Sequence, residues 1–214
     1  MADFQRARSA DDKALRRSSM LSAAREVAAA SGVRQVTLTA IAARTGLHKS
    51  AVLRYFDDRE SLLLELCRQE WQDWAAELTA AAAVGEDDDP AAVLAATLQR
   101  RPLLCDLLAQ TPVLLEREAP VEVVLRFKLD VLAALELAAG AVRSLAPALT
   151  HEQAAELVGV AGSLAGTLWH VANPPPALLA AYRADPRLAA ACVAFEPELA
   201  RLLRAFLRGS AAVG

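Results

Sequence analysis

Apolar side chains recur at every third or fourth position along almost the whole chain. This spacing matches the repeat of about 3.6 residues in an α-helix, where positions three and four apart share one face. Paired segments of alternating β-branched residues joined by turn residues, which would indicate a hairpin, do not occur. The pattern therefore predicts an all-α fold.

Four helices are predicted in the N-terminal part, over about 13–31, 38–46, 48–56 and 58–83. Gly32 and Gly46 can adopt the left-handed conformation that closes a helix, and Thr37 can cap the second helix. Asp57 or Asp58 can cap the fourth. The second and third helices thus flank a tight turn at Gly46.

The C-terminal part predicts six more helices, over about 91–100, 103–110, 120–146, 151–172, 177–183 and 187–208. The polar stretch 85–90 separates them from the first four, because its glycine breaks a helix and its proline suits the first turn of the next one. Pro197 is expected to break or restart the last helix.

The composition gives no sign of a membrane, metal or disulfide protein. The residues up to Lys13 lack the apolar run of a secretory signal, so we expect the protein in the cytoplasm. The longest stretch without a charged residue, 157–182, meets three prolines at 174–176 before it reaches the ~20 residues that span a bilayer. The three cysteines and three histidines are scattered, which predicts buried thiols and neither a metal site nor a cofactor.

The formal charge of −3 is unevenly distributed. Residues 1–60 hold 11 Lys and Arg against 7 Asp and Glu, a net charge of +4, and the remaining residues carry −7. A basic end on an otherwise acidic molecule favours a polyanionic partner at that end. The charge distribution is therefore consistent with nucleic-acid binding by the N-terminal part.

The most informative segment is 37–62, which reads TLTAIAARTGLHKSAVLRYFDDRESL. It resembles the helix-turn-helix of the TetR family of transcriptional regulators. The similarity includes the inward pair 41–42, the turn glycine Gly46, the aromatic pair 55–56 that closes the third helix, and the basic-acidic-x-Leu opening at 59–62.

This resemblance implies an N-terminal three-helix helix-turn-helix DNA-binding domain over 1–60 and a C-terminal helical bundle over 61–214 that binds a ligand and dimerises. A connecting helix over about 58–83 would join them. The implied partner is double-stranded DNA with paired half-sites.

Eight residues are candidate DNA contacts by their position in this motif: Thr37, Thr39, His48, Lys49, Ser50, Arg54, Tyr55 and Arg59. The two threonines lie at a helix start, where hydroxyls and amides favour a phosphate. The next three occupy the first turn of the third helix, the part that meets base edges in the major groove. The last three are expected on the opposite backbone, and the resemblance implies phosphate contacts for the tyrosine and the final arginine.

Two positions depart from the family pattern. Leu53 stands where most members carry a tyrosine that contacts a phosphate, so this contact is either lost or transferred to Arg54 or Tyr55. His48 replaces a common small hydroxyl residue and could serve as a helix cap, a base reader or a pH-sensitive group.

The resemblance also implies a homodimer, since the last two long helices of the family form a four-helix interface. Here these would be 151–172 and 187–208. The first has an apolar face with glycines that permit close helix approach: Leu157, Val160, Ala161, Leu164 and Leu168, with Gly159, Gly162 and Gly166. The alternative is that the glycines only ease packing within one chain.

Segments 101–108, 111–117 and 166–169 resemble one effector-domain subtype of the family. Such domains hold mostly apolar pockets with a few polar anchors. The candidate ligand contacts are Leu104, Leu108, Phe127, Leu164, Trp169 and His170. The expected effector is an unidentified, apolar small molecule.

The favoured function is a repressor that a small-molecule effector releases from its operator. A constitutive DNA-binding protein without ligand control and a helical protein-interaction scaffold are the alternatives. An enzyme is not expected, because the sequence has no phosphate-cradling glycine loop, nucleophile elbow or metal-ligand spacing.

Overall fold

The computed structural model describes residues 2–85, 88–117 and 119–210. These residues form ten α-helices and two 3₁₀ turns and contain no β-strand, which confirms the all-α prediction. The helices are α1 (Ala2–Ser31), α2 (Leu38–Thr45), α3 (Lys49–Val52), α4 (Arg59–Val84), α5 (Pro90–Gln99), α6 (Pro102–Arg117), α7 (Val121–Leu145), α8 (His151–Ala172), α9 (Pro176–Ala184) and α10 (Phe195–Ser210). The 3₁₀ turns are Val33–Gln35 and Pro186–Ala191.

Helix α3 is shorter than the sequence predicts, because it ends at Val52 and not at Phe56. The amides of Arg54 and Tyr55 donate to carbonyls three residues earlier, at 3.3 and 2.9 Å. Such bonds tighten the backbone into a 3₁₀-like turn. The α-helical part of the third helix is therefore a single turn.

Two proline-containing helices also differ from the prediction. Helix α6 continues through Pro112 to Arg117, where the sequence placed its end near 110. A proline removes one backbone hydrogen-bond donor from a helix. The packing of α6 against α8 compensates for this lost hydrogen bond and keeps the segment helical. The last helix begins at Phe195, so Pro197 lies in the first turn, where its missing N–H has no partner to lose.

The chain divides into two compact units, Met1–Leu66 and Cys67–Gly214, with the division inside α4. The core of the first unit consists of buried side chains from all four of its helices and from the segment after α3: Met20, Leu21, Ala24, Ile41, Val52, Phe56, Leu62 and Leu63. In the second unit α8 is central and packs against α6, α7 and α10.

Two glycines of α8 allow close packing inside the chain. A Cβ on Gly166 would lie 2.7 Å from the backbone nitrogen of Ala109 in α6. A Cβ on Gly162 would lie 3.0 Å from the indole of Trp71. At Gly162 and Gly166 the absence of a side chain therefore serves helix packing within the chain. A Cβ on Gly159, by contrast, would meet no atom within 4 Å.

An arginine–carboxylate cluster joins the second half of α4 to the corner between α5 and α6. Glu77 accepts hydrogen bonds from Arg101 at 2.7 Å and from Arg100 at 2.8 Å. Partial burial of the Glu77 carboxyl acts to raise its pKa, but the two guanidinium groups outweigh it and hold the pKa below its usual value. The cluster therefore depends on an ionised Glu77.

The cysteines are only partly as predicted. Cys67 and Cys105 are buried, and burial raises the pKa of each thiol to about 12. Cys192 is exposed, because it follows the 3₁₀ turn outside the packed helices, so the expectation of three buried thiols is wrong there.

Within the described ranges no helix has the length and hydropathy to cross a membrane. The same residues include no cluster of three or more His, Cys, Asp or Glu side chains placed to hold a metal ion.

Candidate DNA-binding surface and effector cavity

The turn between α2 and α3 is fixed by caps at both ends of α2. The Thr37 hydroxyl oxygen accepts the Ala40 amide at 3.1 Å. Gly46 has φ +67°, the left-handed conformation that an L side chain rarely adopts, and the following amide of Leu47 donates to Ala42 at 2.9 Å. The chain therefore leaves α2 in one direction and enters α3 after three residues, 46–48.

His48 caps α3. Its Nδ1 accepts the amide of Ser50 at 3.3 Å and lies 2.9 Å from the Ser50 hydroxyl. Of the three roles open from the sequence, the structure supports the cap. Because Nδ1 is the acceptor, a neutral ring carries its proton on Nε2, and the cap orients the side chains of the first turn.

Most of the predicted DNA contacts are exposed on this segment. Thr37, Thr39, His48, Lys49, Ser50 and Arg54 are exposed, and Tyr55 is half-buried. Val52 points into the core and fixes the rotation of α3. Leu53 exposes 41% of its surface and offers no hydroxyl to a phosphate.

Arg59 is placed differently from the expectation of a phosphate contact. Its guanidinium donates to the carbonyl of Val36 at 2.6 Å and to that of Val33 at 3.1 Å. It also lies 3.4 Å from the Glu60 carboxylate. These bonds use three of the five guanidinium N–H donors within the chain, so Arg59 connects the start of α4 to the loop before α2.

Arg17 of α1 is a positioning residue that the sequence did not reveal. It donates to the carbonyl of Tyr55 at 2.8 Å, and its guanidinium carbon lies 4.2 Å from the centre of the Phe56 ring. A third contact is to Glu65 at 3.7 Å. The partners lie about forty residues away, and no local pattern around Arg17 signals them.

A cavity of about 440 Å³ lies within the second unit, among α4, α6, α7 and α8. Its volume is in the range of small-molecule sites, roughly 300 to 1,000 Å³. Much of the wall is apolar, from Trp71, Leu108, Phe127, Val131 and Leu135.

Two of the six predicted ligand residues, Leu108 and Phe127, line this cavity, and four do not. Leu104 is fully buried elsewhere in the core. Leu164 is half-buried outside the lining, and Trp169 packs edge-on against Phe195 at 5.3 Å. His170 is exposed and lies 3.3 Å from Asp106. Leu164, Trp169 and His170 lie on the part of α8 outside the cavity lining, and Leu104 lies in the core on α6. The structure therefore places none of these four residues at this cavity.

The cavity also has lining residues that were not among the predicted ligand contacts: Trp71, Thr111, Lys128, Gly159, Gly162 and Ser163. Trp71 belongs to α4, the helix that the sequence predicted over about 58–83. The small residues of α8 at 159, 162 and 163 leave room for the cavity, and their spacing was the one available signal.

The dimer face predicted on α8 is only partly free. Leu157 and Ala161 are fully buried within the chain, since α8 packs on three other helices. Val160, Leu164 and Leu168 are half-buried.

The capped helices, the tight turn and the exposed basic residues define a helix-turn-helix DNA-binding protein. Residues 20–66 match the family model for bacterial regulatory proteins of the tetR family, and residues 68–213 match that of the tetracyclin repressor-like C-terminal domain. The chain belongs to the TetR family of transcriptional regulators, which confirms the resemblance in the sequence. No curated protein sequence is significantly similar to it.

Solved structures have the same fold. A possible TetR family transcriptional regulator from Streptomyces coelicolor A3(2) is 20% identical with a TM-score of 0.57, and the match covers 92% of this chain and all of that one. FadR from Bacillus subtilis in complex with stearoyl-CoA is 17% identical with a TM-score of 0.50, and that match covers 86% of this chain and 96% of FadR.

Proposed function

We propose that this regulator is a homodimeric repressor that reads paired DNA half-sites with the α2–α3 segment and leaves its operator when a small molecule occupies the cavity. The observation that carries the DNA-binding part is the exposed turn of His48, Lys49 and Ser50, held by the cap on Ser50 and by Gly46. A rigid polar turn of this kind suits the base edges of the major groove.

The base-reading role falls to Lys49 and Ser50. The Lys49 ammonium can donate to guanine acceptors, and the small Ser50 permits close approach of the helix to the bases. The His48 ring can add its Nε2 proton, because Nδ1 is engaged in the cap.

Phosphate contacts are proposed on both sides of this turn. On one side the Thr39 hydroxyl and the first amides of α2 point out of a helix N-terminus, where an anion is favoured. Thr37 contributes mainly as the cap of α2. On the other side the exposed Arg54 and the half-buried Tyr55 reach the opposite backbone. Arg59 is left out of this set, because its bonds to two backbone carbonyls hold its guanidinium against the loop before α2.

Dimerisation is proposed through α8 and α10. On α8 the half-exposed apolar residues Val160, Leu164 and Leu168 recur at helical spacing, and on α10 Phe206 and Leu207 are only half-buried. Two such faces can form a four-helix interface of the kind that TetR family members use. Two recognition helices would then meet half-sites about 34 Å apart or a multiple of it.

Effector control rests on the cavity. A ligand that binds one conformation of the second unit better than another shifts the population and thereby the DNA affinity. FadR, which shares the fold, binds stearoyl-CoA, and this supports a small-molecule effector at the level of fold only. A regulator acting on bacterial DNA is expected in the cytoplasm.

Selection from a random duplex library tests the dimeric, sequence-specific part of the proposal. We expect enrichment of an inverted repeat whose half-sites are separated by about one helical turn or a multiple of it, with an even number of chains per duplex in sedimentation. A folded protein that enriches no sequence even at low salt would favour the interaction scaffold. Enrichment of a single half-site bound by one chain would exclude the dimer.

A further inference from the structure

The interior of the cavity offers little to a polar ligand. Trp71, Phe127 and Leu135 present apolar surfaces to it. The hydroxyl of Ser163 donates to the carbonyl of Gly159 at 2.9 Å, and that of Thr111 donates to the carbonyl of Leu107 at 2.9 Å. Both hydroxyl protons are donated to the helix backbone, so neither can be donated to a ligand, and the third lining hydroxyl, that of Thr167, belongs to an exposed residue. A charged group among the apolar side chains would therefore lose hydration with little compensation.

In contrast to its apolar interior, the cavity has a charged residue at its mouth. Among the lining residues that the structure describes, Lys128 of α7 is the only charged one, and it is exposed and therefore at the mouth. The neighbouring carboxylate of α7, Asp130, lies 3.7 Å from Arg68. The mouth thus combines one cation with an apolar interior behind it.

We propose that the cavity binds an amphipathic anion, with an aliphatic body inside and a carboxylate or phosphate head at Lys128. This inference rests on the proposed function, in which the cavity is the effector site. The exposed ammonium favours an anionic head over a neutral one and disfavours a cationic head. Because the pair is solvated, the preference is modest, about two- to fivefold in the dissociation constant.

Calorimetric titration of the full chain with four probes of equal chain length tests the head group: decanoate, decyl phosphate, decanol and decyltrimethylammonium, each below its aggregation concentration. We expect the two anions to bind more tightly than decanol and the cation to bind most weakly. Of the two anions, the tighter one identifies the head as carboxylate or phosphate. Equal binding of all four probes, or no binding of either anion, would overturn the proposal.

Lys128→Gln should bring the anions to the affinity of decanol, and Lys128→Glu should reverse the preference toward the cation. Arg126→Gln is the matched control, since Arg126 is an exposed cation of the same helix outside the cavity lining. A preference that survives in Lys128→Gln, or that Arg126→Gln removes equally, would contradict the assignment of the head group to Lys128.

The location of the bound chain is tested by filling the cavity. A Cβ on Gly159 would meet no atom within 4 Å, and Gly159 lines the cavity, so Gly159→Leu should fill part of the cavity and abolish binding of the anions with the fold intact. Gly140→Leu is its control, because a Cβ there also meets no atom within 4 Å and Gly140 lies outside the lining. Retained binding in a folded Gly159→Leu protein would place the site elsewhere.

Operator binding of the same preparations separates the two proposals. If the anions bind with the dependence on Lys128 but do not weaken operator binding, the ligand class stands and effector-controlled release fails. If the operator is bound and another molecule releases it while neither anion binds, the release mechanism stands and the ligand class fails.

Discussion

The guanidinium of Arg17 donates to the carbonyl of Tyr55 at 2.8 Å and covers the ring of Phe56, so α1 holds the end of the recognition segment. A cation placed over an aromatic ring and bonded to a carbonyl restrains position as well as adding stability. The orientation of α3 therefore depends on a residue outside the helix-turn-helix.

Replacement of Arg17 by glutamine should lower the free energy of unfolding by about 1 to 2 kcal/mol and weaken operator binding. Urea unfolding and fluorescence anisotropy measure the two effects. The exposed neighbour Arg16 is the matched control, and Arg16→Gln should change neither quantity much. Equal effects of the two substitutions would exclude the positioning role.

Arg59 should behave as a structural residue and not as a phosphate contact. Since its guanidinium bonds two carbonyls, Arg59→Lys should destabilise the protein nearly as much as Arg59→Gln, because a single ammonium cannot keep the same two bonds. Operator binding of the folded Arg59→Gln protein should keep the salt slope of the wild type, whereas Arg54→Gln should lower it by about one. A lowered slope in both variants would restore Arg59 to the interface.

The close approach of α8 to α6 predicts a strong effect of one methyl group. Gly166→Ala brings a Cβ within 2.7 Å of the Ala109 backbone, which cannot move aside as a side chain can, and should cost about 1 to 3 kcal/mol. Gly140→Ala, in an open helical position, should stabilise by about 0.5 to 1 kcal/mol. Thermal unfolding of the two variants compares them, and a neutral Gly166→Ala would show that the helices are not so close.

Acid should weaken the second unit through Glu77. The pKa of this carboxyl is lowered in the folded state, so its contribution is present above the unfolded pKa near 4.5 and is lost as the pH falls through the folded value. The free energy of unfolding should therefore fall between about pH 5.5 and pH 3 less steeply in Glu77→Gln than in the wild type. The exposed Glu156 is the control, and Glu156→Gln should keep the wild-type slope.

The sequence predicted best what local contacts determine. The bonds that close α2 at Thr37 and Gly46 span at most five positions, so both ends of that helix were visible in the sequence. The all-α class followed from spacing alone. By contrast, the shortened α3 and the continuation of α6 through Pro112 depend on packing and hydrogen bonds that propensity does not show.

The candidate sites depend more on contacts between distant residues. Arg17 and Arg59 find their partners across 38 and 26 positions, and each changes the account of the DNA-binding surface. Residues from four helices line the cavity. Leu104 and Leu108 are both apolar residues of α6, so the sequence could not show that Leu108 lines the cavity and Leu104 does not. The packing of the whole helical bundle determines which face of each helix lines the cavity.

The proposed reading of DNA by the α2–α3 segment is tested most directly by Lys49→Ala, titrated against the selected operator and an unrelated duplex across a salt series. Arg183→Ala, which removes an exposed cation from α9 in the second unit, is the control. We expect Lys49→Ala to lose about 1 to 3 kcal/mol of discrimination between the duplexes if it meets a base, or about one unit of salt slope if it meets a phosphate. Unchanged binding by a folded Lys49→Ala protein, or equal loss in Arg183→Ala, would contradict the account.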